Sequence, residues 1–121
     1  MARHVTIGLD GVELRGHCGV TAQERAVGQR IVVDVRLIPR EAPGLDSDEL
    51  ADTVNYSEVT EAVRAAVEGR EYNLIERLAA VIAEQLFAAH RLSEVTVRVH
   101  KPSPPVSIPL RAAWAEVTRR A

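Results

Sequence analysis

The chain has 121 residues, enough for one small domain with one hydrophobic core, and we expect that domain to span residues 1–121. Its 15 basic and 17 acidic residues nearly cancel, which gives no electrostatic reason to expect nucleic acid or an anionic membrane as a partner. The single cysteine, Cys18, excludes an internal disulfide and a cysteine metal site. No apolar run is long enough for a membrane span, and the N-terminus lacks the apolar region of a signal peptide, so we expect a cytoplasmic protein.

The first part of the chain alternates apolar and polar residues in two stretches with an irregular one between them. The alternation over residues 5–14, interrupted at Asp10-Gly11, predicts a strand with a bulge. Residues 15–29 lack periodicity and contain three glycines, so we predict an ordered loop. Residues 31–37 alternate most clearly and predict a second strand that forms a hairpin with the first. The turn-rich, acidic residues 39–52 predict a solvated connection.

Two segments with helical periodicity follow. Residues 57–68 place small and branched apolar side chains on one face, and Gly69 is suited to end that helix. Residues 74–89 carry the longest apolar periodic pattern of the chain. Asn73 stands where an N-cap belongs, and Glu76 stands three residues further on. This spacing predicts a capping box at the start of the second helix.

The chain closes with two more strands, over residues 94–100 and 113–118. The order strand-strand-helix-helix-strand-strand predicts an α+β fold, with a four-stranded antiparallel sheet and two helices on one of its faces. The sheet edges carry no obvious protection, because residues 31–37 are long, apolar and free of proline. We therefore expect the chain to associate edge to edge into a closed symmetric ring.

Four side chains have both a structural and a chemical interpretation. Lys101 shares the apolar face of its strand, so its ammonium lies either at the rim in water or desolvated, as a general base or Schiff-base amine would be. Glu24 stands beside Arg25, and a surface ion pair is the simplest interpretation. Tyr56 precedes a helix, where a packed tyrosine is the default. Glu76 either caps its helix or accepts two N–H donors from a flat heterocycle.

Together, these residues and their surroundings resemble those of one family, the dihydroneopterin aldolases. The matching segments are residues 16–20, 24–25, 28–29, 47–48, 50–56, 73–79 and 100–102, with Pro105. They occur in the family's order and spacing and cover nearly the whole chain. The resemblance implies the tunnelling fold (T-fold), in which four subunits close their sheets into one barrel. Two such rings commonly stack into an octamer, with the active sites between subunits.

The resemblance also implies an activity. Members of the family cleave 7,8-dihydroneopterin by a retro-aldol reaction into 6-hydroxymethyl-7,8-dihydropterin and glycolaldehyde, on the route to folate. Many of them also epimerise the substrate at C2′. The dihydropterin ring contains a C=N bond next to the side chain, which accepts the electron pair of the broken bond. The implied reaction therefore needs neither metal nor enzyme Schiff base, and we expect no cofactor.

The family's roles carry over residue by residue. Lys101 corresponds to the lysine that donates and accepts the proton, and Glu24 to the carboxylate that orients the reacting side chain. Tyr56 corresponds to a tyrosine that the neighbouring subunit contributes to pack on the substrate and assist proton transfer. Glu76 corresponds to the residue that grips the amino-pyrimidinone edge of the pterin, and Ile75 to one that contributes backbone contacts.

The sequence departs from the family pattern at two places, and it leaves two alternative functions open. Cys18 replaces a histidine that many relatives have in the first loop, and Ala112-Ala113 replace an aromatic-acidic pair. One alternative is an epimerase of the same fold that acts on dihydroneopterin or its triphosphate. The other is a non-catalytic ring that binds pterins or purines, which would need Glu76 but not Lys101.

Overall fold

The computed structural model describes residues 3–121, so the first two residues of the expected domain lie outside the described part of the chain. Within it, four antiparallel strands form one sheet in the order β1-β2-β3-β4. The strands are β1 (Ile7–Gly16), β2 (Gln29–Pro39), β3 (Leu92–Pro102) and β4 (Ala112–Arg120). The helices are α1 (Ala22–Val27), α2 (Gly44–Ser47), α3 (Tyr56–Glu68) and α4 (Ile75–Ala89), with a 3-10 turn at Leu50–Asp52.

One face of the sheet is apolar because β2 and β3 alternate in matching register. Val33 lies opposite Val99 and Val35 opposite Val97, and all four side chains are fully buried. Helices α3 and α4 cover this face with apolar stripes spaced every three or four residues. The predicted α+β fold, with two helices on one side of a four-stranded antiparallel sheet, is confirmed. None of the helices within residues 3–121 is long and apolar enough to cross a membrane.

The opposite face of the sheet is polar and carries paired charges. Arg98 lies over the Trp114 ring, 3.9 Å from its centroid, and its Nε donates to a Glu116 carboxylate oxygen at 3.0 Å. The hydroxyls of Thr96 and Thr118 lie 3.0 Å apart across β3 and β4. Water can solvate these groups without leaving an unpaired charge, so this face needs no covering layer.

Three local predictions are wrong. The residues predicted as loops contain α1 and α2, which are too short to show a helical period in the sequence. Strand β2 pairs with both neighbours and is central, so the edges of the sheet are β1 and β4. Helix α4 has Leu74 at its N-cap, and a leucine side chain cannot cap. The predicted capping box of Asn73 and Glu76 therefore does not form.

The bulge predicted at Asp10-Gly11 is confirmed, and a side chain from β2 holds it. The β1–β2 register shifts between Leu9 and Val12, and Gly11 adopts φ 72°, which glycine tolerates. The Gly11 N–H donates to Asp34 Oδ1 at 2.7 Å, while Asp34 Oδ2 lies 2.7 Å from His100 Nε2. Burial raises the pKa of Asp34, but these hydrogen bonds and the nearby Arg98 guanidinium bring it below its usual range.

We expect Asp34→Asn to destabilise the protein by about 1 kcal/mol at neutral pH, since the substitution removes the charge that these donors stabilise. A carboxyl with a depressed pKa in the folded state contributes stability above its unfolded pKa of about 3.9. That contribution is lost as pH falls through the folded value. Urea unfolding from pH 7 to pH 3, at one protein concentration, should show the gap between wild type and variant closing in acid. Asp10→Asn, at an exposed carboxylate of the same bulge, is the control; an equal effect there would contradict this role for Asp34.

Candidate functional site

The site begins with a partly buried ion pair at the end of β3. Lys101 lies on the helix-covered face of the sheet, and its Nζ donates to Glu24 Oε2 at 3.1 Å. The two side chains are only 12% and 18% exposed. Ala113 stands opposite Lys101 in the β3–β4 ladder. Lys101 is also the single lysine of the chain; the other 14 basic residues are arginines.

Glu24 lies on α1 and is part of a capping box at the start of that helix. The Thr21 hydroxyl accepts from the Glu24 N–H at 3.1 Å and donates to Glu24 Oε1 at 3.2 Å. The hydrogen bond from Lys101 is the largest of several effects that lower the pKa of Glu24, and the bonds from Thr21 add to it. Arg25 instead donates to the carbonyls of Gly19 and Val20, so the interpretation of Glu24 and Arg25 as a surface ion pair is wrong.

Tyr72 joins the loop before α1 to the segment before α4. Its backbone N–H donates to the His17 carbonyl at 2.9 Å, and its carbonyl accepts from the Gly19 N–H at 2.9 Å. Its ring is buried, and its hydroxyl donates to the Ala66 carbonyl on α3 at 2.9 Å. A buried aromatic ring with a satisfied hydroxyl is a strong anchor. This anchor brings Glu24 to the start of α4.

Glu76 and Ile75 lie in the first turn of α4, where Glu76 is exposed and Ile75 half-buried. The buried thiol of Cys18 lies among the charged groups of the site. Burial raises the pKa of this thiol, the Lys101 ammonium opposes the rise, and the carboxylates of Glu24 and Glu76 add to it. A cavity of about 360 Å³ adjoins the start of α4, and Tyr72 and Leu74 are among its lining residues.

Tyr56 lies elsewhere. It is 66% exposed at the start of α3, next to Asn55, which lines a groove of about 650 Å³ together with His90 and Arg91. That groove is at the Leu92 end of β3. Lys101 is nine residues further along the strand, a distance of about 30 Å. One copy of the chain therefore does not bring Tyr56 to Lys101.

Sequence reasoning missed three residues that shape the site, Thr21, Gly19 and Gln29. A Cβ on Gly19 would lie 2.4 Å from Glu24 Cβ, so only glycine lets the Glu24 side chain lie against this backbone. The Gln29 amide donates to the Glu24 carbonyl at 2.9 Å. The Thr21-x-x-Glu24 spacing is a capping-box pattern, and this pattern in the sequence could have identified Thr21. Within residues 3–121, no three His, Cys, Asp or Glu side chains are grouped as a metal site would require.

Comparisons of sequence and of fold with known proteins both match this chain to dihydroneopterin aldolases. The family model described as dihydroneopterin aldolase matches residues 7–118. The dihydroneopterin aldolase of Streptomyces coelicolor is 43% identical over 113 residues, which cover 93% of this chain and 95% of that protein. One of Streptococcus pyogenes serotype M18 is 38% identical over 114 residues, with the same coverage.

Two solved structures show the same fold. The Escherichia coli dihydroneopterin aldolase in complex with neopterin superimposes with a TM-score of 0.86, at 24% identity, over 95% of this chain and 98% of the other. The Burkholderia thailandensis dihydroneopterin aldolase bound to guanine gives a TM-score of 0.76, also at 24% identity, over 98% and 92% of the two chains. The subunit fold that the resemblance implied is thus the fold of this chain. The family model and the relatives named above match almost the whole chain. The chain therefore belongs to the dihydroneopterin aldolase family.

Proposed function

We propose that this protein cleaves 7,8-dihydroneopterin into 6-hydroxymethyl-7,8-dihydropterin and glycolaldehyde, as a cytoplasmic enzyme of folate biosynthesis. The observation that carries the proposal is the partly buried ion pair of Lys101 and Glu24, 3.1 Å apart. A non-catalytic binding ring would need Glu76 but not Lys101. An amine that is held against a carboxylate and largely shielded from water is instead an arrangement suited to proton transfer.

Lys101 is the proposed acid–base group. In its neutral amine form it takes the proton of the side-chain hydroxyl and becomes the ammonium that pairs with Glu24, while the adjacent carbon–carbon bond breaks and glycolaldehyde leaves with the new carbonyl. The electron pair moves into the C=N bond of the dihydropterin, and Lys101 returns the proton to the carbon that stays on the ring. Atoms and electrons balance without a metal or a Schiff base. An arginine could not replace it, since a guanidinium does not release its proton in a protein.

Glu24 supports this cycle by staying ionised. Its carboxylate neutralises the Lys101 ammonium each time the lysine holds the proton. Its position beside the ammonium also lets it accept from a substrate hydroxyl. The fixed geometry lowers the reorganisation needed during proton transfer.

Glu76 is the proposed holder of the pterin. Its carboxylate is exposed in the first turn of α4, where it can accept two N–H donors from the amino-pyrimidinone edge while Ile75 offers backbone contacts. Guanine, the ligand bound in the Burkholderia thailandensis structure, carries the same edge as a pterin. That shared edge supports assigning the recognition to a carboxylate.

Tyr56 completes the site from a neighbouring subunit. About 30 Å of strand separates its end of the molecule from Lys101 in one chain, so only a second copy can supply it. The free edges of β1 and β4 offer unpaired backbone groups for joining subunits. We propose that the sheets close in this way into a four-subunit barrel, and that two rings stack into an octamer.

The direct test is to incubate the protein with 7,8-dihydroneopterin and EDTA and to separate the oxidised products by chromatography with fluorescence detection. We expect 6-hydroxymethylpterin, with glycolaldehyde released in equal amount. Dihydromonapterin alone would indicate the epimerase. Binding of the pterin without turnover would indicate the non-catalytic ring.

Lys101→Ala and Glu76→Ala should separate chemistry from binding. The first should lower kcat by about 10²–10⁴-fold with little change in KM, because a positioned acid–base group is lost. The second should mainly weaken pterin binding, by roughly 10²-fold, because a charged acceptor is lost. Glu61→Ala, an exposed carboxylate on α3, is the control. Steady-state kinetics and pterin titration measure both effects; unchanged turnover in Lys101→Ala would remove Lys101 from the mechanism.

Mixing two inactive variants tests the shared site. Lys101→Ala and Tyr56→Phe subunits, unfolded together and refolded in equal amounts, should recover activity that neither variant shows alone. If each site takes Tyr56 from a neighbour, about a quarter of the sites in the mixture regain both residues. Refolding each variant separately before mixing is the control. No recovery in the co-refolded sample would place both residues in one subunit or exclude Tyr56 from the site.

A further inference from the structure

The two carboxylate oxygens of Glu24 accept hydrogen bonds from two different side chains, those of Thr21 and Lys101. Oε1 accepts from the Thr21 hydroxyl at 3.2 Å and faces the Thr21 N–H at 3.4 Å, while Oε2 accepts from Lys101 Nζ at 3.1 Å. The same hydroxyl accepts from the Glu24 N–H at 3.1 Å, which fixes the backbone and the side chain of Glu24 together. We propose that Thr21 is a positioning residue that aims one oxygen of Glu24 at Lys101 during proton transfer. This inference rests on the proposed function, because Thr21 can have this role only if Lys101 and Glu24 carry out the proton transfer.

The core offers α1 little support, because none of its six described residues is buried. Its other contacts include hydrogen bonds to its backbone: Arg15 donates to the Val27 and Gly28 carbonyls, and His17 Nδ1 lies 2.6 Å from the Arg25 carbonyl. A helix of this length does not hold its shape in isolation. The Gln29 amide and the Gly28 N–H donate to the Glu24 carbonyl, and the Glu24 side chain packs against the Gly19 backbone. Thr21 is thus, besides Lys101, the residue that donates hydrogen bonds to the carboxylate itself.

The ionisable groups around Glu24 explain why a second partner matters. They are Lys101 on β3 and Cys18 in the loop before α1; Arg25 faces backbone carbonyls instead. Only Lys101 of the two is cationic. When Lys101 has given its proton to the carbon of the product and is a neutral amine, Glu24 loses its main source of stabilisation. The Thr21 donors remain in place, and they keep the carboxylate ionised and aligned until Lys101 takes the next proton.

The test compares Thr21→Val, which keeps the shape but lacks the hydroxyl, with Thr21→Ser, which keeps the hydroxyl. Thr118→Val, which removes one hydroxyl of the Thr96–Thr118 pair on the polar face, is the matched control. We expect Thr21→Val to lower kcat roughly tenfold with KM little changed, because one hydrogen bond to a charged group is lost and Glu76 is untouched. The acid limb of its pH profile should move to higher pH, because a donor to the charged form of Glu24 is gone. Thr21→Ser should restore both properties, and Thr118→Val should change neither.

A second measurement keeps this inference separate from the proposed function. ¹³C NMR titration of the Glu24 carboxyl, in the intact protein without substrate, should show a higher pKa in Thr21→Val than in wild type. If wild type does not cleave dihydroneopterin, the proposed function fails while this titration still decides the role of Thr21. An unchanged Glu24 titration would overturn the inference. So would a loss of kcat in Thr21→Val that the serine variant does not rescue or that leaves the pH profile in place.

Discussion

The two backbone hydrogen bonds that Tyr72 makes with His17 and Gly19 are the constraint on which the site depends. They join a loop from the first hairpin to the segment that leads into α4, over more than 50 residues of sequence. The loop carries Glu24 into place, and the segment carries Glu76. Because the Tyr72 ring is buried and its hydroxyl is bonded to α3, both parts are fixed to the core. The Glu24 carboxylate consequently meets the lysine on a rigid frame, which acid–base chemistry requires.

The same frame explains why one copy of the chain does not bring Tyr56 to Lys101. The alternating pattern of β3 carries Lys101 to one end of the sheet, while α3 begins with Tyr56 at the other end. The sheet leaves β1 and β4 with open backbone groups, and its polar face already pairs its own charges. Edge pairing therefore satisfies the free backbone donors and acceptors without covering the polar face. In the proposed ring, stability and activity depend on the same association.

The sequence correctly predicted the structural features that depend on a local pattern of residues. Alternation located the strands, the bulge at Asp10-Gly11 and the sheet face to which Lys101 belongs. It could not show that Glu24 pairs with Lys101, 77 residues away, since no periodicity links a short helix to the end of a distant strand. It also could not show that β2 is central, because the pairing of β2 with β3 is decided by tertiary packing. Helix α1 is too short to produce a period of its own, and its capping pattern was therefore overlooked.

The failed prediction at α4 has a chemical consequence. Had Asn73 and Glu76 formed a capping box, the Glu76 carboxylate would be committed to the backbone of its own helix. Because the helix begins one residue later, at Ile75, the N-cap is a leucine and Glu76 stands in the first turn without a capping role. A carboxylate is favoured there by the positive end of the helix dipole. Glu76 therefore keeps its acceptor atoms for a ligand, whereas Thr21 and Glu24 form the capping box that the chain does have. One carboxylate is restrained for proton transfer and the other is left free for recognition, which is the division of labour that the proposed reaction needs.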